Sequence, residues 1–146
     1  MASILIEGQL FMDERPTMEA RFVLGVEEID RQHGTLFAIL GRVHDALLAN
    51  DFSAGPTIRE AVAELLDRTS EHFASEEAIM EAADYPALAA HREMHRNLLA
   101  EARDIEIRAD SEAQFAPTQL AAYLHTWLAV HILAEDKAFT DFYHTG

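Results

Sequence analysis

Four long runs of apolar residues at helical spacing constrain the fold of this 146-residue chain more than any other feature. In each run the apolar side chains recur every three or four residues, so they line one face of an α-helix. The predicted helices span residues 27–49, 56–83, 86–108 and 117–143. Only short breaks separate them, and long helices with short connections predict an all-α, up-down-up-down antiparallel four-helix bundle.

Residues 1–25 lie outside this pattern and are predicted to form an N-terminal arm that packs across the bundle of residues 26–146. Phe11, Phe22 and Leu24 are the expected anchors of this arm. The first residues carry no basic stretch and are interrupted by Glu7, so they do not resemble a signal peptide. No apolar run approaches the roughly 20 residues of a membrane-spanning helix. A single domain without a membrane anchor is therefore expected.

The composition excludes several kinds of function. The chain has no cysteine, which rules out disulfides, thiolate ligands and cysteine nucleophiles and leaves nitrogen and oxygen donors for any metal. Its 26 acidic and 11 basic residues give a formal charge of -15. A surface this acidic repels phosphate backbones and anionic lipids, so no nucleic-acid or membrane partner is expected. A cytoplasmic location is predicted, and the absence of disulfides is compatible with it.

Histidines occupy positions on the apolar stripes where leucines are expected. Five of the 8 histidines do so, and every predicted helix contributes at least one: His33, His72, His91, His95 and His131. One buried imidazole is usually a core residue with a hydrogen-bond partner, but five that converge need more acceptors than a bundle core offers. A metal ion solves this problem, because it accepts one lone pair from each imidazole. The remaining His44, His125 and His144 are predicted to be surface or satisfied core residues.

Two carboxylates share the histidine pattern. Glu76 follows His72 by four residues and lies on the same helix face. Asp136 follows His131 by five residues, an offset of about 140° in an α-helix, so the helical pattern alone does not favour it over Glu135. Five nitrogens and two carboxylates exceed the needs of one tetrahedral zinc. They suit two octahedral ions that share the carboxylates, with iron favoured and manganese or zinc as alternatives.

The stretch HREMH at 91–95 resembles the zinc-protease motif H-E-x-x-H, but its glutamate comes one residue late. Glu93 lies roughly 160° from the face that carries the two histidines, so it is predicted to point to solvent. Glu77, next to Glu76, is likewise predicted to belong to a solvated helix face. The two Glu-x-x-His pairs of ferritin-like di-iron oxidases are absent from the sequence.

Taken together, these residues resemble the hemerythrin family, in particular the single-domain bacteriohemerythrins. The resemblance is carried by GVEEIDRQH at 25–33, HFASEE at 72–77, the dipeptide YP at 85–86, the two histidines of HREMH and WLAVHI at 127–132 followed by Asp136. It covers the chain from about Gly25 to Phe142, and all seven ligand positions of the family are filled. One departure precedes Gly25, where Phe22 stands in a segment in which the family often has tryptophan.

The resemblance implies a pair of non-haem iron ions. His91, His95 and His131 would saturate one iron, whereas His33 and His72 would hold the other and leave one position open. Glu76, Asp136 and an oxo or hydroxo group would bridge the two. Dioxygen would bind reversibly at the open iron, which requires a dry pocket. The predicted pocket lining is Phe37, Phe73, Trp127, Leu128 and Ile132.

The function implied by the resemblance is the storage, transport or delivery of dioxygen rather than catalysis. Two alternatives use the same centre. One is oxygen or redox sensing through a partner protein, and the other is reduction of peroxide or nitric oxide. The sequence leaves these three possibilities open.

Overall fold

The computed structural model describes residues 16–48, 54–111 and 117–145. It confirms the all-α prediction, and no strand occurs within those ranges. After a 3-10 turn at Ala20–Phe22 the helices are α1 (Glu27–Leu48), α2 (Ala54–Ala82), α3 (Leu88–Ser111), α4 (Pro117–His131), a π-helical turn (Ile132–Asp136) and α5 (Lys137–Thr145). None of the helices within these ranges has the length and apolar character that crossing a membrane requires.

Two apolar clusters lie along the bundle, with the predicted ligands between them. The smaller cluster contains Ile29, Met80 and Phe139, with Leu88 packed against it. Among the members of the larger cluster are Phe22, Leu36, Phe37, Leu40, Leu65, Leu66, Ala102, Leu124, Leu128 and Ile132. Each large side chain that is fully buried contributes about 1.5–3 kcal/mol. These clusters therefore offset the cost of placing a polar layer in the middle of the core.

The order of the two clusters along each helix shows the antiparallel arrangement. In α1 and α3 the residues of the smaller cluster, Ile29 and Leu88, precede the histidines, and Leu40 and Ala102 of the larger cluster follow them. In α2 and in the helix formed by α4 and α5 this order is reversed. Successive helices therefore run in opposite directions, as the up-down-up-down prediction requires.

The third helix begins at Leu88 rather than at the predicted Pro86, because the break before it has a defined cap. Asp84 adopts a positive φ of 52°. Its N–H donates to the carbonyl of Glu81, and the N–H of Tyr85 donates to the carbonyl of Met80. This is the Schellman arrangement, here with aspartate where glycine is usual. Pro86 therefore lies in the turn that follows α2.

The fourth predicted helix is continuous in direction but not α-helical throughout. The N–H of Lys137 donates to the carbonyl of Ile132, five residues earlier, which adds one residue to that turn. The prediction of a single regular helix over 117–143 is therefore wrong at the turn that carries Asp136. Such π-turns frequently occur at functional sites.

The described part of the N-terminal segment packs on the bundle, as predicted. Phe22 is buried and stacks on Phe37 with ring centroids 4.9 Å apart. Leu24 is half-buried and packs against the larger cluster. The third expected anchor, Phe11, lies outside the described residues. The division into an arm of residues 1–25 and a bundle of residues 26–146 stays a prediction.

Asp30 fixes the entry into α1. Its carboxylate accepts the backbone N–H of Leu24 at 2.8 Å and that of Gly25 at 3.0 Å. Gly25 has a φ of 87°, and a Cβ at this position would lie 3.0 Å from Nε2 of His144. That same Nε2 lies 3.0 Å from the carbonyl oxygen of Leu24. A side chain at Gly25 would be strained by the backbone and would disturb this contact between the segment before α1 and the end of α5.

Candidate metal centre

All seven predicted ligands lie in one buried cluster at the centre of the bundle. Each of them is at most 3% exposed, and they come from all four helices of the bundle: His33, His72, Glu76, His91, His95, His131 and Asp136. His44, His125 and His144 lie outside this cluster. His44 is buried, His125 makes an edge contact with Phe37 and His144 is exposed.

The five imidazoles face the centre through Nε2 and form two groups. His33 and His72, the two-histidine group, have their Nε2 atoms 3.0 Å apart. His91, His95 and His131 form the three-histidine group, in which the Nε2 atoms of His95 and His131 are 3.1 Å apart. Each group thus presents several lone pairs to one small volume.

Glu76 directs one carboxylate oxygen to each group. Its Oε1 lies 2.8 Å from Nε2 of His91 and 3.4 Å from Nε2 of His95. Its Oε2 lies 3.4 Å from Nε2 of His72 and 3.9 Å from Nε2 of His33. The carboxylate of Glu76 therefore lies between the two groups.

Asp136 is placed in the same way from the opposite helix. Its Oδ1 lies 2.9 Å from Nε2 of His131 and 3.3 Å from Nε2 of His91, and its Oδ2 lies 3.0 Å from Nε2 of His33. The donor atoms consequently form two overlapping sets, each confined within 4.8 Å, and both sets contain Glu76 and Asp136.

The π-turn explains why Asp136 rather than Glu135 enters the cluster. In a π-turn a residue five positions on takes the place that a residue four positions on has in an α-helix. Asp136 is thereby rotated back to the face of His131 and is fully buried. The side chain of Glu135 is 38% exposed, and its carboxylate lies 3.5 Å from Nδ1 of His131, on the outward side of that ring.

The cluster has the composition and spacing of a site for two cations. Both oxygens of Asp136 and Oε2 of Glu76 are buried close to imidazole nitrogens, but none of these contacts has the geometry of a hydrogen bond. Such groups are costly unless positive charge compensates them. Two ligands about 2.1 Å from one ion and at right angles to each other are separated by about 3.0 Å. The spacings of 3.0 and 3.1 Å between ring nitrogens match this value, so these residues fit a pair of metal ions.

The mutual contacts of these groups shift their pKa values. Burial by itself lowers the pKa of His91, but its contacts with Asp136 and Glu76 outweigh burial and raise that pKa to about 9. Burial and the charge of Asp136 act to raise the pKa of Glu76, yet the surrounding imidazoles hold it at about 2. Burial also acts to raise the pKa of Asp136, but His131 and His33 keep it well below its ordinary value.

These shifts predict how the stability of the metal-free protein depends on pH. The raised pKa of His91 contributes stability that is complete below its ordinary value of 6.5 and is lost as the pH rises through about 9. The lowered pKa of Glu76 contributes stability that is present above 4.5 and is lost as the pH falls through about 2. Chelated protein is therefore expected to melt at its highest temperature between pH 4.5 and 6.5.

Thermal unfolding of chelated protein, followed by circular dichroism at a series of pH values, measures this profile. The His91→Gln variant is expected to show a smaller loss of melting temperature on the alkaline side. The exposed His144→Gln provides the matched control and retains the full loss. An alkaline decline of unchanged size in His91→Gln would contradict the role given to His91.

Two further residues contact the outward nitrogens of the imidazoles. Nδ1 of His72 donates to Oε1 of Gln32 at 2.5 Å, and Nδ1 of His95 donates to Oε2 of Glu77 at 2.8 Å. The side chain of Glu77 is only 21% exposed, so the prediction that it belongs to a solvated face is wrong. Sequence reasoning missed both residues, although each directly precedes or follows a predicted ligand in the chain.

The five predicted lining residues are all buried or half-buried. Two of their aromatic rings, those of Phe73 and Trp127, stack on histidines of the three-histidine group. Phe73 stacks on His95 with centroids 3.7 Å apart and an interplanar angle of 2°. Trp127 stacks on His131 at 4.7 Å and 15°. Phe73 is also 5.9 Å from the ring of His72. Both aromatic rings thus pack chiefly against the three-histidine group, and a pocket lined by these residues stays a prediction.

Glu93 points away from the cluster, as predicted from the helical angle. It is exposed and pairs with Arg96 at 3.1 Å. The two histidines of the stretch 91–95 enter the three-histidine group instead. The glutamate that gave this stretch its likeness to a protease motif has no contact with the donor atoms in the described structure.

Comparison with known proteins shows similarity over most of the chain. The sequence model of the hemerythrin HHE cation binding domain matches residues 24–142, a range that contains all seven donor residues. A bacteriohemerythrin of Stenotrophomonas maltophilia (strain R551-3) is 31% identical over 118 residues, covering 81% of this chain and 74% of the relative. One of Ralstonia nicotianae is 34% identical over 117 residues, covering 80% of each chain. One of Clostridium acetobutylicum is 27% identical over 123 residues, covering 82% of this chain and 95% of the relative.

Proposed function

The chain belongs to the hemerythrin family, and on this premise we propose that it binds dioxygen reversibly at a pair of non-haem iron ions. The proposed ligands are His33, His72, Glu76, His91, His95, His131 and Asp136. One observation carries the proposal: two carboxylates are shared between groups of unequal histidine number. Shared carboxylates favour two neighbouring ions, and the unequal groups favour different roles for them.

The donor atoms that face each group give the expected coordination. An ion at the three-histidine group would be held by His91, His95 and His131 together with Glu76 and Asp136, and a shared oxo or hydroxo group would fill its sixth position. An ion at the two-histidine group would be held by His33, His72, Glu76 and Asp136, one nitrogen fewer, which would leave one of six positions open. We place dioxygen at this open position. A pair of ferrous ions held by these residues would supply the two electrons that reversible binding of dioxygen requires, one from each ion.

The protein's own residues exclude water and hold the ligands in place. The donor residues are buried between two apolar clusters, which keeps bulk water from the centre. Phe37, Leu128 and Ile132 are the proposed lining beside the two-histidine ion. Gln32, which holds His72, ends in an amide that neither takes up nor releases a proton. An amide at this place favours reversible binding over a reduction that consumes protons.

The experiment that tests this function is anaerobic loading of metal-free protein with ferrous iron, followed by exposure to air. We expect a visible absorption band that appears in air, fades on degassing and returns over repeated cycles. Glu93→Gln, altered at the exposed position between the two histidines, should behave like wild type. His33→Ala removes a ligand of the open ion and should lose the band.

A different outcome would redirect the assignment. Conversion to a stable diferric form on first contact with air, without recovery on degassing, would overturn the carrier function. Sustained turnover of peroxide or nitric oxide with an added reductant would point to a redox enzyme at the same centre. We propose storage, transport or delivery of dioxygen, in the cytoplasm, as the role of the reversible centre.

A further inference from the structure

The two groups of histidines differ in what contacts their outward nitrogens. In the three-histidine group, Nδ1 of His95 donates to the carboxylate of Glu77 at 2.8 Å. In the two-histidine group, Nδ1 of His72 donates to the amide oxygen of Gln32. One group is therefore backed by negative charge and the other by a neutral acceptor.

The orientation of the Gln32 amide is set by its own contacts. Its Nε2 donates to Oε1 of Glu28 at 2.7 Å and lies 3.0 Å from Oγ of Ser75. Because Glu28 offers only acceptor atoms, the nitrogen of the amide must face it, and the oxygen must face His72. His72 therefore carries its proton on Nδ1 and presents the lone pair of Nε2 to the centre.

Glu77 is held just as firmly on the other side. Nε of Arg92 lies 3.3 Å from its Oε1, while Oε2 receives the proton of His95. Arg92 also contacts Glu81 at 3.2 Å, and Phe73 stacks on the ring of His95. The carboxylate of Glu77 thus lies in a chain that runs from His95 through Glu77 to a partly exposed arginine.

An imidazole whose Nδ1–H donates to a carboxylate gives its Nε2 lone pair to a metal more strongly than one whose Nδ1–H donates to an amide. The hydrogen bond to a carboxylate is charge-assisted, so it shifts more electron density toward Nε2. A stronger donor stabilises the more highly charged state of the metal that it binds. The three-histidine ion is accordingly expected to favour the ferric state more than the two-histidine ion does.

We propose that Glu77 is a positioning residue that separates the properties of the two ions, with Gln32 as its neutral counterpart. Acting through His95, Glu77 holds the three-histidine ion more tightly and lowers the potential at which that ion is oxidised. Gln32 orients His72 without adding charge. This inference rests on the proposed di-iron centre, and it concerns how the centre is made unequal.

The redox test compares Glu77→Gln with Arg92→Gln in the iron-loaded protein. In a spectroelectrochemical titration each ferrous ion loses one electron to the electrode through a soluble mediator. Glu77→Gln keeps an acceptor for His95 but removes its charge, so the midpoint potential should rise. Arg92→Gln removes the cation that compensates Glu77, so the potential should fall. A purely structural role of the Arg92–Glu77 pair predicts shifts of the same sign, and that result or an unchanged potential in Glu77→Gln would overturn the proposal.

A second readout needs neither iron chemistry nor oxygen. In a titration of metal-free protein with Co²⁺, wild type is expected to bind two ions per chain. Glu77→Gln should weaken the tighter binding step by about tenfold, and Gln32→Leu should weaken the other step by a similar factor. Glu93→Gln should change neither.

The two levels of the proposal fail in different ways. If wild type does not bind two ions, the proposed di-iron centre itself is wrong. If wild type binds two ions but Glu77→Gln and Gln32→Leu bind them like wild type, only the inequality assigned to Glu77 and Gln32 is wrong. Weakening of the same step by both variants would likewise contradict their assignment to different ions.

Discussion

Removal of metal from the loaded protein is expected to lower its melting temperature by about 10 °C or more for each ion lost. An ion that binds only the folded chain adds about 4 kcal/mol when its free concentration is 1,000 times its dissociation constant. In a chain of this size each kcal/mol changes the melting temperature by roughly 2–4 °C. The donors come from all four helices of the bundle, so metal loss leaves buried polar groups on every one of them.

Thermal unfolding at neutral pH, before and after treatment with a chelator, measures this effect. Re-addition of ferrous iron without oxygen should restore the original melting temperature. A variant that has lost two of the seven proposed ligands, such as His33→Ala with Asp136→Asn, should be much less sensitive to the chelator. A melting temperature that chelation leaves unchanged would show that metal does not tie the helices together.

Replacement of Asp136 by asparagine is expected to weaken the binding of both metal ions, because this carboxylate faces both groups of histidines. Loss of residues that only support a ligand already costs about 10–100-fold in affinity. Loss of a shared ligand should therefore cost about 100-fold or more at each ion. His33→Ala, by contrast, should lower the affinity for the ion at the two-histidine group far more than the affinity for the other ion.

Glu135→Gln is the matched control for Asp136→Asn, since the two positions are adjacent in the π-turn and only Asp136 enters the cluster. Metal bound per chain after desalting, together with Co²⁺ titration, distinguishes the variants. We expect Glu135→Gln to retain two ions. Retention of two tightly bound ions by Asp136→Asn, or an equal loss in Glu135→Gln, would contradict the shared role of Asp136.

Helical periodicity was sufficient to predict the bundle and the place of the histidines. Imidazoles at leucine positions are conspicuous because an unpaired polar ring in a core is costly. His33, His72 and His131 could be assigned to one buried layer because each interrupts an apolar stripe. Glu76 followed from the same rule, as it stacks on His72 one turn later.

Helical periodicity could not predict the positions of residues where the chain departs from a regular α-helix. Asp136 falls off the α-helical face of His131, and only the π-turn restores it. The start of α3 was similarly missed by two residues, because the turn before it depends on Asp84, which takes a conformation that a sequence usually marks with glycine. Local periodicity assumes a constant rotation per residue, so it fails where that rotation changes.

The partners of the outward nitrogens depend on packing between helices. Glu77 is on α2 and its partner His95 is on α3, while Gln32 and His72 join α1 to α2. Nothing in the spacing along one helix indicates which polar residue of another helix will reach an imidazole. The positions of these two residues beside predicted ligands are the only signal in the sequence, and that signal does not identify the histidine that each contacts.

The central claim is that these seven side chains hold two iron ions, and a direct count tests it. Metal-free protein is loaded with excess ferrous iron without oxygen, desalted under the same conditions and assayed for iron and protein. We predict two irons per wild-type chain and a marked loss of iron from Asp136→Asn. One iron per chain, or a count that does not depend on Asp136, would contradict the account.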